Sequence, residues 1–423
     1  MIHTLPNGVR VLAMPSPAFA TATVAVFVRG GSAHEGKLVN GISHVVEHML
    51  FKGTATRDAR RINLDAERLG AEVNAHTDRD HTAFYMRGLP EHAGDFAHML
   101  GDLIAAANFP ADELERERDV LLQELAEEED DPVSGAFRLY DAACWGEHPA
   151  AMPVIGTRAR LERLSRDDLL RYARHHYRGG NVIVGAAGAF DEAAFVRACE
   201  ATFGALPAGE AAIVDLATYI GGVKSRSHPG SSQAHAVVGG PIAPRRGATL
   251  ADEAAGELAA AVLGEGMSSP LLHELREQRA LAYHATASAD VFEMCGQLTI
   301  EASMAPERLE ECLETTVHLL RAHAEAIDDA ELARARRQLT VRHLHTQEKA
   351  LRMIEHAALD LFAHGQVRSS RERTIAIDET PAAAVRAVFE RLLDAGVSIA
   401  LTGSLPRAAG SKAREMLAAL TRA

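Results

Sequence analysis

Two related α+β domains, each a mainly antiparallel β-sheet packed with helices, are the architecture this sequence predicts. Three observations predict it. A chain of 423 residues is too long for one hydrophobic core and divides by default into two domains of about 200 residues. Short runs that alternate with period two stand beside longer runs with period 3.6 in both halves. The same order of elements occurs twice, at an offset of about 215 residues: strands, short helices, a hairpin, long helices, a strand, a helix.

In the first half, residues 8–14 alternate and residues 20–28 are rich in Val, Ala and Thr, so both read as strands. A helix over about 41–51 follows, with Asn40 as its expected N-cap and Lys52-Gly53-Thr54 as its stop. A second helix over 56–69 ends at Gly70. Strands at 71–77 and 81–88 come next, with Asp78-Arg79-Asp80 turning between them. Helices are predicted over 91–107, 111–130 and 134–145, then 165–177. The apolar strand 181–188 and a helix over 191–204 close this half. Residues 205–222 mix Gly, Pro and Ala and read as a linker, which sets the expected domains at 1–210 and 222–423. The second half repeats the order. Strands fall at 222–228 and 232–240, helices at 250–263 and 268–280, and strands at 282–290 and 295–303. Long helices follow at 306–325, 328–347 and 349–364, then a helix at 380–393, a strand at 396–402 and a helix at 406–421.

Composition is that of an ordinary globular protein, 47% hydrophobic and 24% charged. No run of 18 apolar residues appears, so no membrane partner is expected. The first residues, Met1-Ile2-His3-Thr4-Leu5-Pro6, lack a basic stretch and an apolar stretch, so neither a signal nor a transit peptide is expected. Cys144, Cys199, Cys295 and Cys312 are scattered without C-x-x-C spacing, which suits a reducing, cytoplasmic setting and offers no thiolate metal site. A net charge of −14 argues against nucleic acid as a partner.

The densest chemistry lies at His44-Val45-Val46-Glu47-His48. Histidines four apart share one face of a helix, one turn apart, with a glutamate beside them. Two imidazoles and a carboxylate are what a hydrolytic zinc site needs, and H-x-x-E-H is the inverzincin order. The chain holds 21 histidines, so the pattern arises easily by chance, and zinc needs a third protein ligand. The helix over 111–130 carries Glu117 and Glu124, two turns apart on one face. Its other acidic residues stay open as candidates on spacing alone, and a solvated acidic face is the plain reading of any of them.

The run from Asn40 to Thr54 resembles the pitrilysin/insulinase family of zinc peptidases, in particular its mitochondrial processing peptidases and their short bacterial relatives. That family places its third ligand in an E-R-x-V-x-x-x-E segment about 76 residues past the second histidine, and Glu117-Arg118-Asp119-Val120 through Glu124 matches it. Further matches are Gly70-Ala71-Glu72-Val73-Asn74-Ala75-His76-Thr77 with Asp80, Thr82 and Tyr85, and Gly266-Met267-Ser268-Ser269 through Arg276 to Tyr283. Asp80, Pro270 and Ala280 stand where the family usually has Glu, Arg and Gly.

The resemblance implies one Zn²⁺ per chain on His44, His48 and Glu124, Glu47 as the general base, and Glu117 as a second carboxylate beside the site. It implies that Asn74 and Ala75 lie in an edge strand that takes an extended peptide substrate by backbone hydrogen bonds. Arg276 and Tyr283 match a pair that approaches the active site from a facing domain, to hold substrate and the developing oxyanion. A chain with two domains is then expected to form a homodimer, or a heterodimer with an inactive homologue, that closes a chamber around unfolded peptides. The expected activity is zinc endopeptidase; the alternative is a non-catalytic peptide-binding or assembly subunit. The acidic run 127–131 reads as a solvated helix end that attracts basic peptides at most. The pairs His175/His176, His343/His345 and His356/His364 read as surface or core histidines.

Overall fold

The computed structural model describes residues 1–228 and 230–420, so residue 421 of the last expected helix lies outside the described residues. Two compact units divide the chain. The first comprises Met1–Ala126, Met152–Val214 and Thr346–Val367, and the second comprises Glu127–Ala151, Asp215–His345 and the chain from Arg368 onward.

The first unit is built on six strands: β1 (Ile2–Thr4), β2 (Arg10–Pro15), β3 (Ala22–Val28), β4 (Glu72–Thr77), β5 (Thr82–Gly88) and β6 (Val182–Gly188). Their order in the sheet is β1-β2-β6-β3-β5-β4. The pair β2/β6 is parallel and the others are antiparallel. In the second unit β7 (Gly222–Ser227), β8 (Ala234–Ile242), β9 (Ala282–Val291), β10 (Gly296–Met304) and β11 (Ser398–Gly403) run in the order β7-β11-β8-β10-β9. Leaving out β1, the two sheets have one topology, with β6 and β11 each inserted as the penultimate strand beside a parallel neighbour. The repeat read from the sequence is therefore a repeat of topology.

Both faces of the first sheet are apolar, which explains why every residue of β3 is buried. Val24, Val26 and Val28 point into the main core of the unit, while Ala25 and Phe27 point to the opposite face. Ile354, Ala357, Ala358, Leu361 and Phe362 of the helix Ala350–His364 cover that opposite face. The helix comes from the second half of the sequence. A helix from the first half, Pro132–Trp145, does the same for the second sheet. Its Tyr140 hydroxyl donates to the Leu298 carbonyl at 3.1 Å and the Trp145 indole to Gln297 Oε1 at 3.0 Å. The units thus differ from a cut at 210–222 by an exchange of two helices, because each sheet has two apolar faces to cover.

Three smaller differences are local. Asp131, expected in a solvated acidic end, caps the helix Pro132–Trp145 by accepting from the Val133 and Ser134 amides at 3.1 and 3.0 Å. The helix expected over 268–280 is one turn, Pro270–Leu272, followed by a wider π-helical run, His273–Gln278. A helix over Ser370–Glu379 has no apolar periodicity to mark it, since only Ile377 is buried on it. No helix among the described residues is long and apolar enough to cross a membrane.

Candidate metal centre

The first helices of the chain are α1 (Ile42–Leu50), α2 (Ala59–Arg68), α3 (Ala93–Ala106) and α4 (Ala111–Asp130), and the site stands on α1 and α4. On α1 the residues Ile42, Val45, Val46, Met49 and Leu50 are buried in the core, which leaves His44, Glu47 and His48 together on the half-exposed face. Asn40 does not cap α1. Gly41 occupies the cap position with φ 95°, and a Cβ there would sit 2.8 Å from the Ile155 carbonyl oxygen. The buried carboxylate of Glu35 does the capping instead, accepting from the Gly41 and Ser43 amides at 2.7 and 2.8 Å and from Asn40 Nδ2 at 2.9 Å. Burial pushes Glu35 up to about 7 against the pull of these donors. Nothing in the periodicity marks Glu35, because it reaches α1 from the irregular segment before it.

On α4, Leu114, Glu117, Leu121 and Leu125 are buried, and Glu124 lies on the exposed flank. The structure brings His44 Nε2 to 3.8 Å from Glu124 Oε1 and His48 Nε2 to 3.7 Å from Glu124 Oε2. These gaps are too long for hydrogen bonds. They lie close to the spacing of about 3.3 Å that donors take around one tetrahedral ion with bonds of about 2.0–2.1 Å. The three donor atoms all fall within 4.8 Å of one another, so the residues fit a single metal ion.

Electrostatics differ between the two imidazoles. Burial, with His48 adjacent, holds the His44 pKa down at about 4, so its imidazole is neutral at pH 7. Burial would also lower His48, but the Glu117 hydrogen bond and the charges of Glu47, Glu117 and Glu124 push it up. Glu117 Oε1 lies 2.8 Å from His48 Nδ1, and its other oxygen pairs with Lys52. Donation from Nδ1–H to Glu117 leaves the Nε2 lone pair facing Glu124. Burial raises Glu117, yet His48 and Lys52 outweigh it and hold the carboxyl below its ordinary range. The neighbouring arginines are engaged elsewhere: Arg116 bonds Asp112 and Glu113, and Arg118 bonds the Leu164 carbonyl. Glu47 is raised by burial, while the Thr77 hydroxyl donates to its Oε2 at 2.7 Å. Thr77 and Lys52 stood in the matched motifs without a role.

Asn74 and Ala75 lie in β4, the edge strand of the sheet, so among the described residues its outer backbone edge has no strand neighbour. The Ala75 amide donates to the Asn74 side chain at 2.8 Å. Asp80 is buried, with Oδ1 2.7 Å from His81 Nδ1. Arg276 and Tyr283 belong to the second unit, and the group on α1 and α4 assembles without them. Arg276 reaches Glu277 at 3.6 Å in the π-helical run, and Tyr283, at the start of β9, is 82% exposed. Ala280, between them, has φ 48°.

A helix-borne His-x-x-Glu-His face against a carboxylate from a second helix, on a twice-repeated α+β sheet, defines a metallopeptidase-like class of protein. Comparison with known families makes this specific: residues 10–158 match the insulinase (peptidase family M16) model, and residues 163–339 match that of the M16 inactive domain. The chain belongs to the M16 insulinase family. It is 31% identical to the uncharacterized zinc protease YmxG of Bacillus subtilis over 80% of this chain and 82% of the relative. It is also 31% identical to an uncharacterized zinc protease of Mycobacterium tuberculosis, over 95% of this chain and 92% of the relative. A protease from Helicobacter pylori shares the fold with a TM-score of 0.87 at 20% identity, covering 96% of this chain and 99% of the other. An M16-like peptidase from Alicyclobacillus acidocaldarius does so with a TM-score of 0.83 at 21% identity, over 96% and 98% of the two chains. The inactive-domain match agrees with the sequence, since H-x-x-E-H occurs only at residues 44–48.

Proposed function

We propose that this chain is a zinc-dependent endopeptidase acting on unfolded peptides. One observation carries the reading: two imidazole Nε2 atoms converge on the Glu124 carboxylate at 3.7–3.8 Å, with Glu47 fixed on the same helix face by Thr77. His44, His48 and Glu124 hold the ion. When bound, the ion supplies Lewis-acid polarisation of a peptide carbonyl and acidifies a water. Glu47 takes the proton from the attacking water at its carboxylate and passes it to the leaving amine nitrogen. Glu117 keeps His48 in the tautomer that presents Nε2.

The substrate lies along the open edge of β4 at Asn74 and Ala75, through backbone hydrogen bonds that demand an extended chain and little sequence specificity. Arg276 and Tyr283 of a second copy complete the site, the arginine on a substrate carbonyl and the phenol on the oxyanion. The H-x-x-E-H motif and this pair both lie in the one chain, which supports the homodimer reading over pairing with a silent homologue.

The test is Glu47→Gln. Zinc content should stay at the wild-type level while cleavage of a random peptide library falls at least a thousandfold and wild-type cleavage disappears with chelator. Substantial turnover by Glu47→Gln would refute the role of Glu47. Absence of cleavage by zinc-loaded wild type would favour a binding or assembly subunit. Activity that migrates with a monomer on sizing would refute completion by a second copy.

A further inference from the structure

We propose that His76, His81 and Glu355 form a second metal-ion site, separate from the first, for a divalent first-row transition ion of the zinc type. His76 lies on β4, His81 just before β5, and Glu355 on the helix Ala350–His364 that covers the far face of the same sheet. His76 Nε2 is 2.7 Å and His81 Nε2 3.3 Å from Glu355 Oε1, and the three donor atoms lie within 4.8 Å of one another.

Four features make this a built site. The donor set is two imidazoles and a carboxylate, the chemistry that suits zinc and its neighbours. Asp80 holds His81 Nδ1 at 2.7 Å, which aims Nε2 at Glu355; this is the device by which Glu117 holds His48. Arg352 Nη1 holds the other oxygen of Glu355 at 2.7 Å, so Oε1 is the oxygen left to the imidazoles. The side chains of His81 and Glu355 are only 4% and 5% exposed while that of His76 is 34% exposed, which gives a dry floor and a path of entry from solvent. Bonds of about 2.0–2.2 Å at a tetrahedral centre place donors about 3.3–3.5 Å apart, so His76 and Glu355 need to separate by less than about 1 Å.

A bound ion ties β4 to the covering helix and to β5. His76 is followed by Thr77, whose hydroxyl donates to Glu47, so occupancy stiffens the strand that positions Glu47. The rival is a metal-free ion-pair clip made by the same three residues.

The experiment counts metal and does not depend on peptidase activity. Full-length protein is stripped with chelator, dialysed against buffered micromolar free Zn²⁺ and analysed by atomic emission. Wild type should bind two ions, and Glu124→Gln, His76→Gln and Glu355→Gln one each, with the lost site weakened at least tenfold. Glutamine at 76 can still donate to Glu355, and circular dichroism checks the fold. Co²⁺ bound to Glu124→Gln should give a ligand-field band that disappears in Glu124→Gln/His76→Gln. One wild-type ion that is lost in Glu124→Gln would overturn the second site in favour of the clip. So would a second ion that survives in both His76→Gln and Glu355→Gln. An ion kept in Glu124→Gln and lost in Glu124→Gln/His76→Gln supports the second site whatever the first one does.

Discussion

Glu117 bonds His48 and Lys52 and is expected to hold no metal, yet its removal should weaken zinc binding. Its side chain is 8% exposed, and its bond to His48 Nδ1 is 2.8 Å long with a carboxylate as acceptor. Hydrogen bonds to charged groups contribute about 1.5–3 kcal/mol, and loss of such a partner to a metal-bound histidine typically weakens affinity about 10–100-fold, or about 1.4–2.7 kcal/mol. Glu117→Ala should therefore raise the zinc Kd about 10–100-fold. Glu117→Gln should raise it less than about tenfold, because the amide oxygen still accepts from Nδ1–H while the charge beside Lys52 is gone. The Kd is read by competition with a chromophoric chelator, in a His76→Gln background so that one class of site is titrated. Glu117→Ala binding zinc within twofold of its parent would refute the claim that Glu117 orients a ligand.

Three further outcomes are expected. Ala280 has φ 48°, which costs an alanine roughly 1–2 kcal/mol, and glycine gives back about 0.4–1 kcal/mol through the unfolded chain. Ala280→Gly should stabilise by about 0.5–1 kcal/mol in urea unfolding, and a clear loss would contradict the strained assignment. Glu253 is buried between Arg368 at 2.7 Å and Arg373 at 3.1 Å, so Glu253→Ala, which leaves two buried guanidinium groups without it, should cost about 3–5 kcal/mol in the same assay. Burial holds His34 at about 4 and His176 at about 3, well below the ordinary histidine value. The unfolded chain then binds protons first as pH falls, so this stability is whole above about 6.5 and drains away towards pH 4.5, by about 2–3 kcal/mol for each histidine. His176→Phe should lose about 2–3 kcal/mol less than wild type between pH 7.5 and 4.5, and an identical loss would exclude His176 as a source.

The sequence carried the parts of the site that local periodicity can express. His44 and His48 four apart on an amphipathic helix, and Glu117 and Glu124 seven apart on another, have faces that can be counted off without a structure. Choosing Glu124 took the family spacing, because an exposed glutamate among other acidic residues has no local mark. The edge position of β4 was likewise legible only through the resemblance, since a strand's neighbours are set by topology. Contacts between residues remote in sequence left no periodic trace at all. Glu355 lies hundreds of residues from His76, and Glu35 reaches α1 from a segment without regular structure. The exchanged helices are legible as helices, but amphipathicity says only that a face is apolar and not which sheet will cover it.

That exchange bears on how the chain is made. The face of the first sheet lined by Leu12, Phe27, Ala83 and Ile183 stays bare until the helix Ala350–His364 leaves the ribosome. At about 5–20 residues per second, the interval between Val214 and Ala350 lasts roughly 7–27 s. The nascent first sheet therefore shows that apolar face to water over the interval, and a gene fragment ending at residue 210 encodes a sheet with one side permanently open to water.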